Sequence, residues 1–186
     1  MSILGFLGSK GISDPARALY RAVVEQSRQP AFYRNWGVAD TPAGRFEMIA
    51  LHAFLLLHRL KGDAAGSGLG QEVFDLMFAD MDRSLREMGV GDLGVGKRVK
   101  RLAQGFYGRV AAYEGGLKSP DPAVLAAALS RNLYANGAAE DSQLAAMADY
   151  IRRQVAALAA QPLVNLCAGR VEFAPPPASP RQGGRR

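Results

Sequence analysis

Apolar side chains recur every three or four residues along most of this chain, which is the spacing of amphipathic helices. The clearest case is segment 46–60. One stripe of it holds Ile49, Ala50, Ala53, Phe54, Leu57 and Leu60, and a second stripe holds Met48, Leu51 and Leu55. A helix that is apolar on two sides must be surrounded by other helices or offer one side to a partner. We therefore predict that this segment is the central helix of the fold.

Helix signals also mark the segments on either side. Asp14-Pro15 has an N-cap followed by a first-turn proline and predicts a helix to about Ser27, and Thr41-Pro42 repeats that signal before the central helix. Apolar residues at helical spacing predict further helices over 73–88, 95–114, 119–134 and 141–160, with a glycine-rich loop over 88–96 and a stop at Gly115-Gly116.

Composition supports a fold made of helices alone. The chain of 186 residues holds 31 Ala and 21 Leu against 12 Val and 4 Ile, so residues that favour strands are scarce. We predict an all-α protein, with a single globular bundle of about six helices over 14–173. Residues 1–13 are predicted to be a flexible N-terminal segment. The proline, glycine and arginine residues of 174–186 predict an irregular, disordered C-terminal tail.

The motifs that would indicate an enzyme, a metal site or a cofactor lack a residue that the chemistry requires or have the wrong spacing. Gly91 to Lys97 has the spacing of a phosphate-binding loop, but Arg98 stands where a hydroxyl should bind magnesium. His52 and His58 are six residues apart on one helix and cannot share a metal ion, so each is interpreted as a core histidine. We predict no enzyme activity, no metal and no cofactor, and an enzyme with an unrecognised site stays open as a third reading.

Positive charge is concentrated in one segment. Of the formal charge of +6, three units come from Arg181, Arg185 and Arg186 near the C-terminus. Five further cations lie between Asp92 and Glu114 with no acid among them: Lys97, Arg98, Lys100, Arg101 and Arg109. Apolar side chains of the preceding glycine loop adjoin these cations. Apolar anchors beside arginine are typical of a protein interface with a charged rim.

The same segment resembles a known family. Residues 81–101, read as MDRSLREMGVGDLGVGKRVKR, and Phe106-Tyr-Gly-Arg109 are similar to the signature of the ubiquinol–cytochrome c chaperone family. Leu19-Tyr-Arg21, Phe32-Tyr33 and the helix over 46–60 stand where that family has similar segments. The resemblance extends from about Asp14 to Leu117, and the shorter bacterial members are more similar than the mitochondrial ones, which carry a targeting extension.

This resemblance implies a non-enzymatic assembly factor for the cytochrome bc1 complex, complex III of the respiratory chain. Mitochondrial relatives bind newly made cytochrome b near the ribosomal exit and work with a small partner protein, and the family transfers no catalytic residues. We therefore expect a monomer in the cytoplasm that binds nascent cytochrome b and no DNA. A contact with the ribosome or with the surface of the inner membrane is left open.

The predicted client-binding groove combines the loop and the cationic helix. Its members are Met88, Val90, Asp92, Leu93, Val95, Lys97, Lys100, Arg101, Tyr107 and Arg109. Flexible, polarizable methionine suits reversible binding of an apolar client, and the cations are expected at the rim, where they would attract client loops or lipid headgroups. The alternative is an RNA- or ribosome-binding module that uses the basic helix 97–109, for which binding would fall steeply with salt.

Overall fold

The computed structural model describes residues 11–89, 91–135 and 139–178, and in these ranges every regular element is a helix. The all-α prediction is confirmed. Six helices are long and two are short: α1 (Asp14–Ser27), α2 (Pro30–Asn35), α3 (Pro42–Leu60), α4 (Ala64–Glu87), α5 (Asp92–Lys118), α6 (Pro122–Asn132), α7 (Asp141–Ala159) and α8 (Leu163–Cys167). None of these helices is both long enough and apolar enough to cross a bilayer.

Helix α3 is the centre of the molecule, as its two apolar stripes predict. Thirteen of its 19 residues are buried, because α1, α4 and α7 all pack against it. Phe32 and Trp36, in and just after α2, are also buried in this core, and the break after α2 falls at Gly37, whose φ is +69°. Phe32 and Trp36, which precede α3 in the chain, are therefore part of the hydrophobic core.

Side chains cap most helix starts, and one cap differs from the prediction. Ser13, not Asp14, caps α1, because its hydroxyl accepts a hydrogen bond from the amide of Ala16, and the carboxylate of Glu72 holds Ser13 in place by accepting from its hydroxyl at 2.6 Å. Thr41 caps α3 as predicted. Asp63 caps α4, so that most of the glycine-rich segment 62–70 is helical.

Helices α4 and α5 form a long antiparallel hairpin. Phe74 of α4 lies 5.7 Å from Tyr107 of α5, and Phe78 lies 6.2 Å from Phe106, measured between ring centroids. Two predictions about α5 are wrong. It begins at Asp92, inside the predicted loop, and it continues through Gly115 and Gly116 to Lys118. A Cβ on Gly116 would lie 2.7 Å from the Cα of Leu125, so this glycine lets α6 pack closely against α5 instead of ending the helix.

The chain after α8 lies extended along the body, and we call residues 170–178 the C-terminal strap. Its backbone is bound at Ala174, whose carbonyl accepts from the Gln26 side chain at 2.9 Å and whose amide donates to Gln154 at 3.0 Å. The indole of Trp36 donates to the carbonyl of Pro177. The predicted boundary at 173 is therefore corrected, since 174–177 packs on the helices; residues 179–186 lie outside the described residues, as do residues 1–10 of the predicted N-terminal segment.

Candidate functional site

An open apolar groove of about 270 Å³ lies where α3, α4 and α5 meet. Its walls come from the C-terminal end of the first apolar stripe of α3, the first half of α4 and the second half of α5. The apolar members are Phe54, Leu57, Leu60, Phe74, Phe106, Tyr107 and Val110. Of the first apolar stripe of α3, Leu57 is only partly buried at the groove, whereas Phe54 and Leu60 are buried, so α3 is mainly surrounded by other helices, one of the two options that the sequence left open.

Aromatic rings form one wall of this groove. Phe74 packs against Phe106 with ring centroids 5.7 Å apart, and Tyr107 stands beside them with 59% of its surface exposed. An exposed tyrosine on an apolar wall offers a large rigid contact area and a polar tip, a combination that is enriched in binding sites. Tyr107 is thus an exposed aromatic side chain of the groove, and its role in client binding stays a prediction.

A polar cluster closes the far end of the groove. Lys61 forms an ion pair with Glu114, and His58 Nδ1 lies 3.4 Å from the same carboxylate oxygen of Glu114. The hydrogen bond from Lys61 is the main cause that lowers the pKa of Glu114 below its usual value. Beyond His58 and Glu114 a second, more polar hollow continues towards Arg152 of α7. The groove is therefore apolar along its floor and charged at one end.

The outer face of α5 carries free cations next to the groove. Lys97, Lys100 and Arg101 are exposed and lie with Tyr107 within about 120° of the helix circumference. Arg98 is exposed at the edge of this face, and no acid occurs between Asp92 and Glu114. Among the described side chains, none forms an ion pair with these four cations. We call Lys97, Lys100, Arg101, Gln104 and Tyr107 the outer face of α5.

Arg109 does not belong to that face, and its predicted place at the rim is wrong. It points in the opposite direction, where it forms a bidentate ion pair with Glu47 of α3, with Nε donating to Oε2 at 2.6 Å. The hydrogen bonds from Arg109 to Glu47 raise the pKa of the guanidinium. Gly105 makes room for it, because a Cβ there would lie 2.7 Å from the Arg109 guanidinium. This pair fixes α5 on α3.

The residues predicted for the hairpin tip differ in exposure. Met88 is exposed, with 58% of its surface accessible, and its role in client binding stays a prediction. Val95 is wrong as a lining residue of an exposed groove, because it is fully buried as α5 begins. Val90 lies outside the described residues, and so do the side chains of Asp92 and Leu93. Neither Met88 nor Val95 is among the residues that line the groove.

His52 is a satisfied core residue, as its position in an apolar helix suggests. Its Nδ1 donates to the carbonyl of Met48 at 2.8 Å, and its Nε2 accepts from the hydroxyl of Tyr150 at 2.7 Å. Burial lowers the pKa of His52 to about 4, so the ring is neutral. Among the described residues, no cluster of His, Cys, Asp or Glu could hold a metal ion.

The fold and the groove define a class of protein: a small all-α domain that presents an aromatic-walled apolar groove beside a cationic helix face. A family model for the ubiquinol-cytochrome C chaperone matches residues 34–173, which include α3, the groove and the outer face of α5. The chain therefore belongs to the ubiquinol–cytochrome c chaperone family.

Known relatives agree with this assignment. The chain is 27% identical over 145 residues to the ubiquinol-cytochrome-c reductase complex assembly factor 1 of Xenopus laevis, an alignment that spans 77% of this chain and 72% of the frog protein. The Mus musculus protein of the same description is also 27% identical, but this chain spans only 49% of it. The crystal structure of the Cbp3 homolog from Brucella abortus matches with a TM-score of 0.78 and 41% identity, covering 86% of this chain and 88% of that one.

The sequence missed most of the groove. Phe54 and Leu57 belong to the first apolar stripe of α3 and Phe74 to the apolar positions of 73–88, and the sequence gives no sign that these residues line a groove. A groove arises from three helices that are distant in the chain, so helical spacing alone shows which residues face inwards and not where packing leaves a gap.

Proposed function

We propose that this protein is a non-enzymatic assembly factor of the ubiquinol–cytochrome c reductase complex that binds newly made cytochrome b. Family membership supports the assembly role, and the curated relatives carry it in their names. The observation that carries the binding step is the open groove beside Tyr107, because the described residues offer an accessible apolar surface there without metal-binding clusters.

The chemistry of the groove suits an unassembled membrane protein. Such a client exposes apolar helices that must be covered until they reach their partners, and binding has to be reversible. An apolar floor with one exposed aromatic side chain gives contact area, while an open shape limits how much area is buried and so limits affinity. Release therefore needs no nucleotide, in keeping with a chaperone that has no cofactor.

On this proposal, Met88 at the hairpin tip and the outer face of α5 also contact the client. Met88 is an exposed flexible side chain that adapts to different apolar shapes. Lys97, Lys100 and Arg101 form the charged rim on this proposal, and Val90, Asp92 and Leu93 remain members of the predicted client-binding set. Val95 and Arg109 take the different role of holding α5 in position.

Site-specific photo-crosslinking tests the client and the surface together. Crosslinkers at Tyr107 and at Lys100 are expected to capture newly made cytochrome b, and a crosslinker at Arg17, which is exposed on α1, serves as the matched control. Capture from Arg17 alone, or capture of no cytochrome b from any position, would contradict the proposal.

A complementation experiment tests the assembly role in the cell. Deletion of the gene should lower the b-type haem spectrum of the membranes, and the unchanged chain should restore it. Tyr107→Glu places a charge on the groove wall and should fail to restore the signal, whereas Tyr107→Phe keeps the apolar area and should restore it. Normal haem b content in the deletion strain would refute the assembly role.

RNA or ribosome binding is the second candidate, favoured by the four exposed cations at the start of α5. Contacts to phosphates release counterions, so the affinity of such a complex falls steeply as salt is raised. Sedimentation with ribosomes over a series of salt concentrations tests it. An association that persists at high salt would count against this candidate.

A further inference from the structure

The outer face of α5 has chemistry that the apolar groove does not explain. It presents Lys97, Lys100 and Arg101 to solvent over the first third of the helix, and Tyr107 follows on the same side about 15 Å from Lys97. Neither Glu47 nor Glu114 is available to neutralise it, because Glu47 pairs with Arg109 and Glu114 pairs with Lys61. The charge is therefore available to a ligand outside the protein.

We propose that the outer face of α5 is a docking surface for an anionic lipid bilayer. This inference deepens the proposed function, on which it rests for its biological setting: it identifies the surface on which the chaperone meets a membrane client. The occupant is the plane of acidic headgroups, and not a soluble phosphate compound.

Charge complementarity is the first argument. Basic side chains clustered on one helix face are attracted to the negative potential of acidic lipids, and each contributes independently near the surface. Long lysine and arginine side chains keep their charges at headgroup level while their methylene chains lie along less polar surface. Gln104 is the only other long polar side chain on this face, and Gly108 continues it without a side chain, so the face itself contains no acidic residue.

The exposed apolar side chains favour a bilayer over RNA. Tyr107 has the amphipathic shape of residues that are enriched at the membrane–water boundary. Met88 leaves 58% of its surface in solvent at the hairpin tip, where a phosphate backbone offers it no partner but the boundary between headgroups and acyl chains does. Cations together with exposed apolar side chains match an interfacial helix better than a phosphate-binding one.

The outer face of α5 lies beside the groove, so docking of this face on a bilayer would also position the groove. Tyr107 belongs to both the outer face and the groove wall. When the face lies on a bilayer, the groove mouth is held next to that surface, so an apolar client segment can pass into the groove with little exposure to water. The tip, the outer face and the groove then act as one surface along the hairpin.

Flotation with lipid vesicles tests the proposal on the purified full chain. Vesicles of phosphatidylcholine alone and vesicles that also contain the anionic lipid phosphatidylglycerol are compared at low and high salt. The chain should float only with the acidic vesicles, and less at high salt. The triple variant Lys97→Glu, Lys100→Glu, Arg101→Glu should bind them about 100-fold more weakly, since each cation contributes roughly fivefold.

The matched control reverses three exposed cations elsewhere. The variant Arg17→Glu, Arg21→Glu, Arg28→Glu changes the net charge of the chain equally, but its substitutions lie on α1 and on the residue that follows it. It should retain most of the binding, and thermal unfolding checks that both variants are folded. Equal loss in the two triple variants would overturn the proposal, because net charge alone would then explain binding. Equal flotation with neutral vesicles, or binding to single-stranded RNA without binding to acidic vesicles, would also overturn it.

The two proposals fail separately. If vesicle binding is absent while deletion of the gene still lowers haem b, the membrane surface is wrong and the assembly role stands. If the chain binds acidic vesicles through α5 while haem b is normal in the deletion strain, the assembly role is wrong and the lipid surface stands.

Discussion

Helix α3 and the first half of α5 are both regular helices, but their surroundings are opposite. Thirteen of the 19 residues of α3 are buried, whereas Val95 and Ala103 are the only buried residues between 94 and 105. Their sequences explain the difference, since α3 has two apolar stripes and α5 has four cations and three glycines in that stretch. Stability is thus concentrated in α3, while the start of α5 is left available for binding.

The glycines of α5 strengthen this contrast. Six of its 27 residues are glycine, and each interior glycine costs a helix about 1 kcal/mol relative to alanine. The helix therefore depends on packing against its neighbours, which is dense near Phe106 and Tyr113 and sparse near the tip. Hydrogen exchange should consequently be faster at the tip than in α3.

The largest expected effect comes from comparing the removal of an aromatic side chain from α3 with the removal of one from the outer face of α5. Phe54→Ala in α3 leaves a cavity in the core and should lower the free energy of unfolding by about 4 kcal/mol. Tyr107→Ala, which removes a ring that is 59% exposed, should lower it by less than about 1 kcal/mol. Urea unfolding measures both. Similar losses of unfolding free energy in the two variants would contradict the distinction between a stable α3 and an exposed face of α5.

A pH effect of intermediate size is expected from His52 in α3. Its ordinary pKa is 6.5 and its pKa in the folded state is about 4, so below pH 6.5 the unfolded chain binds a proton that the native chain does not. Stability should therefore fall as the pH drops from about 6.5 to 4, by about 3 kcal/mol in total. Unfolding at a series of pH values measures this loss. A His52→Gln variant should lose the dependence in that window, and an unchanged profile would show that another group causes it.

The smallest expected effect is a difference in stability between alanine substitutions at two adjacent glycines of α5. Gly116 is buried against Leu125, so Gly116→Ala should destabilise the protein by about 1–3 kcal/mol through overpacking. Gly115 is exposed with nothing near the position of a Cβ, so Gly115→Ala should stabilise it by up to about 1 kcal/mol. Thermal unfolding compares them. Destabilisation by Gly115→Ala would mean that the helix does not continue through this pair.

The local sequence predicts the central helix α3 better than it predicts the start of α5. The stripes of 46–60 identify α3 because burial on all sides leaves an apolar pattern that is visible in the sequence. The start of α5 was missed because alternating glycine and apolar residues at 92–96 are typical of a loop, and tertiary packing overrides that preference. The prediction that α5 ends at Gly115-Gly116 was wrong for the same reason, because packing against α6 keeps this pair helical.

Two residues show why the site could be predicted only in part. Lys100 and Tyr107 are exposed as the helical spacing indicates, because exposure on a helix face follows from the sequence of that helix alone. Arg109 carries the same charge as Lys100, yet it is turned inwards by Glu47, which lies 62 residues earlier. Nothing within α5 identifies that partner, so a distant ion pair removes one cation from the predicted rim.

The C-terminal strap has a consequence for how the chain is made. The carbonyl that Gln26 binds belongs to a residue 148 positions later, and the acceptor of Trp36, the carbonyl of Pro177, lies 141 positions after it. During translation these groups of the first two helices stay without their final partners until the strap has been synthesised. The native interior therefore closes late, so a truncation before Ala174 would leave a nascent chain whose early helices are open to proteolysis.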